Sequence, residues 1–202
     1  MGAEQAPERP GRPNNDPVQG RGSSDTRDRL KVRLSQVPEI LWTPGVVTGL
    51  TAAIGLFGML FDQPWLFASL GPTAYLIAHS PKQPAAAFYN AVIGHLIAIV
   101  SAFLIVTMLG ADDAPSVFVA HHLAGIRVIA SALALGLAIP GELLLNASHP
   151  PAAATVLLIA LGGFSVSFHS ALTIMAGVLL LSLLGEPLRR VRAGHEPSFS
   201  LR

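Results

Sequence analysis

The sequence predicts an all-α, multi-pass transmembrane helical bundle made of two related halves, each with long, short and long hydrophobic segments. Three observations predict it. Hydrophobic residues make up 51% of the 202 residues and charged residues 12%, whereas soluble domains carry about 25% charge. From Trp42 to Gly185 the acids are Asp62, Asp112, Asp113 and Glu142 and the strong bases Lys82 and Arg127, so charge is pushed into the tails, as a bilayer demands. Apolar segments then follow in the order long, short, long, long, short, long.

Residues 1–35 are rich in Pro, Gly, Asn, Asp and Arg and read as a disordered tail that cannot bury enough apolar surface to offset its ordering entropy. They lack an apolar stretch of signal-peptide type, so the first membrane helix is expected to direct insertion. Residues 36–187 form the membrane domain. Its first segment, Trp42–Phe61, is long enough to cross a core of about 30 Å at about 1.5 Å per residue. Pro64–His79 is short. Phe88–Leu109 is long, and the loop "GADDAPSVFVAHH" follows it. Leu123–Leu145 is long, Pro150–Phe164 short, and His169–Gly185 closes the series. Residues 188–202 form a basic tail. Arg and Lys before the first segment and Arg189, Arg190 and Arg192 after the last place both termini in the cytoplasm by the positive-inside rule, with the chain in the cell (inner) membrane.

"ASLGPTA" (Ala68–Ala74) and "ASHPPAA" (Ala147–Ala153) match at an offset of 79 residues, and each opens a short segment. Three-segment repeats are a recurring transporter plan, with the site where interrupted segments occupy corresponding places. If the short segments cross the bilayer, the halves are inverted; if they re-enter, the halves are parallel.

Proline suits a first helical turn because its missing N–H would have no intrahelical partner there. "GPT" and "HPP" therefore read as helix starts. Such starts carry partial positive charge and free N–H donors, which favour a small anion. Pro150 and Pro151 remove two donors, which shifts that role to Ser148 and His149. Gly71, beside Pro72, keeps its N–H and allows close approach, and Ser69 and Thr73 add hydroxyls. His95, Asn90 and Glu142 complete the candidate substrate pathway, His95 because an ionisable group at membrane depth is functional by default. Each also has a plainer reading as a cap, a packing histidine or interhelical glue. Gly45, Gly49 and Ala53 recur every four residues and predict a close-packing face.

Other functions are disfavoured. A net charge of +1 carries no nucleic-acid signal. The absence of cysteine removes thiolate ligands and nucleophiles. Asp112, Asp113, His121 and His122 lack a fixed ligand spacing, so no metal or other cofactor is expected. No G-x-S-x-G, H-E-x-x-H or P-loop pattern occurs, and the protein is not expected to be an enzyme. The expected partners are the lipid bilayer and a small inorganic anion, with a homo-oligomer open. The alternative is a non-transporting membrane scaffold or assembly protein.

The motif His149-Pro150-Pro151, with "SLGPTAYLI" (Ser69–Ile77), "SPKQP" (Ser80–Pro84) and "NAVIGH" (Asn90–His95), resembles the HPP family of integral membrane proteins over about Pro44 to Gly185. Tyr89 stands where the family commonly has Arg, and Ala153 where it often has Gly. The resemblance implies a multi-pass protein, usually with four main spans, that acts in transport; some relatives are implicated in nitrite transport.

Overall fold

The computed structural model describes Gly2 and residues 36–194. The readings of 1–35 as a disordered tail and of the end of the basic tail lie outside the described residues. All regular structure within them is helical: α1 (Glu39–Leu60), α2 (Leu70–His79), α3 (Phe88–Leu109), a single turn α4 (Val117–Ala120), α5 (Gly125–Leu144), α6 (Ala152–Ala160) and α7 (Phe168–Ala193). α1, α3, α5 and α7 are each long and apolar enough to cross a membrane. α7 continues through Pro187 to Ala193, so Arg189, Arg190 and Arg192 sit on its last turns.

The short helices traverse the bundle. At one end, here the terminal end, Glu39 at the start of α1 meets His79 at the end of α2 and Arg192 at the end of α7. The chain entering α3 is at the same end, since Arg189 donates to the Pro81 carbonyl at 2.7 Å. α1 and α3 thus run in the same direction, and a return passage must lie between them. At about 1.5 Å per residue α2 alone is too short; the non-helical leg from Gln63 to Phe67 makes up the distance. The second half mirrors this. Leu145, after α5, accepts a hydrogen bond from Tyr89 at the start of α3, and Ala160, ending α6, accepts one from Arg127 at the start of α5. The leg Ala147–His149 with α6 therefore leads back to the loop end. Six passages result, and the halves run in opposite directions.

Packing follows the same plan. α2 lies against α1 and α7, and α6 against α5 and α3. Leu50, Ile54, Leu70, Ile77, Val156, Ile174, Val178 and Leu181 build the common core. Ala130, Ala134 and Ala138 line the buried face of α5, which lets α3 approach closely. Gly45 and Gly49 do the reverse of what their spacing suggests. Both are exposed, and a Cβ added at either would meet nothing within 4 Å. Ile40, Met59, Val100, Leu133, Leu144 and Leu172 are among the large apolar side chains on the outer surface, the composition a lipid-facing surface requires.

α1 and α5 end alike. Asp62 and Asn146 both take the left-handed conformation, φ 51° and 50°. Gln63 N–H bonds the Gly58 carbonyl, and Ala147 N–H the Glu142 carbonyl, each at 2.8 Å. This is the Schellman closure, which satisfies the last helical carbonyls and turns the chain inward.

Candidate functional site

The two legs bring the starts of α2 and α6 together inside the bundle. Ser69 Oγ and Thr155 Oγ1 are 2.7 Å apart, and Thr73 Oγ1 lies 3.1 Å from His149 Nε2. Numbering rises on one side of these pairs and falls on the other, so the helix starts cross antiparallel. Ser69, Thr73, His149 and Thr155 have zero exposure.

The HPP break is held by side chains reaching for its backbone. Glu142 Oε2 accepts the His149 N–H at 2.9 Å, and Asn90 Nδ2 donates to the Ser148 carbonyl at 3.0 Å. His149 Nδ1 donates to the Ala85 carbonyl at 2.8 Å, since a carbonyl can only accept. The His149 N–H and the Ser148 carbonyl, both left unpaired by the break, thus find side-chain partners, as non-helical backbone at membrane depth needs. Gly94 on α3 gives His149 its room, for a Cβ there would come within 2.7 Å of His149 Cβ. His95, one residue on, places its ring centroid 5.0 Å from that of His149. Its Nδ1 donates to the Ala91 carbonyl at 2.7 Å. Its Nε2 is buried and has no partner among the described residues.

The structure therefore gathers Ser69, Thr73, Asn90, His95, Glu142 and His149 around one crossing; Ser148 is exposed and reaches it only through its backbone carbonyl, not through the hydroxyl expected there. It does not bring Gly71, Pro72 and Pro150 into that polar cluster. They are exposed and line an outward apolar groove of about 600 Å³ with Tyr75, Leu76, Pro151 and Ala154. Pro151 is buried and caps α6. The helix-start donors expected at Gly71 thus face outward, and imidazole and hydroxyl groups occupy the inside.

Two fastenings outside the crossing escaped sequence reasoning. Arg127, in the sequence only one of two strong bases between the tails, is 2% exposed. It donates to the carbonyls of Ala114 at 2.6 Å, Pro115 at 3.1 Å and Ala160 at 2.9 Å, tying the end of α6 to the connection before α4. A cation suits a helix C-terminus. Gly162 lies so close that a Cβ would meet the guanidinium at 2.8 Å. The end of α2 is held by charges instead. Glu39 binds Arg192 at 2.7 Å and His79 at 3.2 Å and accepts from Thr43; Arg192 also lies 5.3 Å over the Trp42 ring. Thr155 was missed too; its only signal was a lone hydroxyl in "AAATVLLIA".

The family model described as "HPP, transmembrane region" matches residues 33–196. The chain belongs to the HPP family. The match spans every described helix, so the break at His149-Pro150-Pro151 and its partner at Ser69–Thr73 lie within the HPP membrane region. No curated protein and no solved structure gives a significant match. The HPP chain is a multi-pass membrane protein by this match and its four apolar helices.

Proposed function

We propose that this HPP protein transports a small inorganic anion, nitrite being the first candidate, together with a proton. One observation carries the reading: two interrupted segments, running in opposite directions, cross inside the bundle through buried hydroxyl and imidazole groups. Discontinuous helices meeting at the interface of inverted halves are the usual setting of a transporter's substrate site. His149 is the central contact, with Ser69, Thr73 and His95 around it. Matches between the short segments support a common origin for the halves. No catalytic role is assigned to any residue. Lys82, Arg189, Arg190 and Arg192 lie toward the terminal end, which we assign to the cytoplasmic side of the cell membrane.

The test is flux of nitrite, nitrate and formate into liposomes holding the full chain, across pH, with His149→Ala as control. The expected result is pH-dependent uptake of at least one anion that the substitution removes. Uptake unchanged in His149→Ala overturns the role of His149. Zero uptake of all three overturns the anion reading and favours a scaffold, the second reading. That alternative draws on the complete burial of Ser69, Thr73, His95 and His149, which in a scaffold would be interhelical glue.

A further inference from the structure

We propose that His149 is the proton-binding group of the crossing and that Thr73 links its charge to the start of α2. The argument is an inventory of hydrogens. Nδ1 of His149 is a donor, because its partner is the Ala85 carbonyl. A neutral ring therefore has a bare Nε2, which can only accept. The group facing it, Thr73 Oγ1 at 3.1 Å, has one hydrogen and already donates it to the Ser69 carbonyl at 2.9 Å. With a neutral ring, two acceptors compete for that hydrogen. With a proton taken from water onto Nε2, the chain is complete: Nδ1–H to Ala85, Nε2–H to Thr73 Oγ1, and Thr73 O–H to Ser69. The protonated ring fits every contact in place. Loss of the proton frees the Thr73 hydroxyl to turn to Nε2 and leaves the Ser69 carbonyl, at the cap of α2, with the Thr73 N–H at 3.3 Å alone.

The titratable groups around the ring are His95 on α3, with centroids 5.0 Å apart, and Glu142 on α5, whose carboxylate holds the His149 N–H. α2 presents Thr73, α6 follows directly with Pro150 and Pro151, and the turn before α3 presents the Ala85 carbonyl. Two imidazolium rings at that separation would repel, so the histidine pair takes one proton, and Glu142 holds the ring's own backbone N–H. A neutral pair offers an anion only lone pairs; a protonated His149 offers it positive charge. The substrate class that fits is the anion of a weak acid entering with its proton. The use of this proton in coupling rests on the transport reading; the proton site does not.

The experiment follows imidazole nitrogen shifts of the ¹⁵N-histidine-labelled full chain in nanodiscs, from about two pH units above to about two below histidine's ordinary ~6.5. His149 is assigned by sequential correlation from Ser148 and by loss of its signal in His149→Gln. The expected result is a gain of a proton at Nε2 while Nδ1 keeps its own. Thr73→Val should weaken proton binding at least about tenfold, because it removes the acceptor of a charged donor, and Thr73→Ser should restore it. A His149 that keeps a bare Nε2 over the whole range in which the protein stays folded overturns the proposal. So does equal proton binding in Thr73→Val. A titrating His149 without anion flux keeps this inference and discards the transport reading; flux with a non-titrating His149 does the reverse.

Discussion

The two short helices have the same plan and different fastenings. α6 is tied by buried polar groups at both ends: Glu142, Asn90 and His149 hold its start, and Arg127 holds its end. The start of α2 shares the buried crossing through Ser69 and Thr73, but its leg depends on apolar packing and its far end on charges at the surface. Gly177 of α7 lies under Trp65 and Phe67 in its leg, Gly185 under Ile77, and its end is held by half-exposed Glu39 and His79. The contrast has a structural root at the ends of α1 and α5. At the residue whose carbonyl closes the turn, the first half has Gly58 and the second has Glu142. A side chain at Gly58 would strike the Gln63 carbonyl at 2.7 Å, so the first half has no carboxylate to hold its break. The lesson is that buried hydrogen bonds fix α6 at both ends, while screened surface charges hold the far end of α2 weakly. α2 is the element expected to move first.

The strongest way to break this comparison is Arg127→Met. It removes the donor from three carbonyls, that of Ala160 buried, and a hydrogen bond from a charged donor contributes about 1.5–3 kcal/mol. The expected loss is about 3 kcal/mol or more, read as a lower thermal midpoint in detergent; a drop no larger than that of Glu39→Gln would erase the asymmetry. Next is Gly94→Ala, which forces a Cβ against His149 and should cost about 1–3 kcal/mol by overpacking. Gly45→Ala, with nothing within 4 Å, is its control and should leave the midpoint unlowered. Glu142→Ala should cost about 1–3 kcal/mol by leaving the His149 N–H unsatisfied. Glu142→Gln, which keeps an acceptor oxygen, should lose less, and equal losses would show that charge rather than the hydrogen bond matters. Smallest is Glu39→Gln at the terminal end. It should barely change the thermal midpoint yet raise amide hydrogen exchange in the last turn of α2; unchanged exchange there would mean the surface charges do not hold that helix.

Much of the membrane architecture was legible. Apolar run lengths placed all six segments, since hydropathy is summed residue by residue. Asn-Ala-Ser-His-Pro-Pro marked a helix start because proline's missing N–H is a local property. Among the polar candidates, Ser69, Thr73, His95 and His149 stand at one crossing. Their hydrogen-bond roles were not legible. Asn90 and Glu142 serve backbone groups of a loop over 50 and 7 residues away along the chain, and no local pattern states which stranded group a side chain will reach.

By itself, then, the sequence determined a helical membrane protein of six segments, two of them interrupted, with the HPP motif at the second interruption. Tertiary structure alone decided that the short segments traverse the bundle, so that the last three segments run opposite to the first three, a choice the sparse charges between the tails left open. It also decided facing. The long helices are apolar on nearly every side, so no amphipathic stripe separates the core face from the lipid face. That is why Gly45 and Gly49 could point outward, Gly71 and Pro72 could leave the polar cluster, and Arg127 could become a buried clamp.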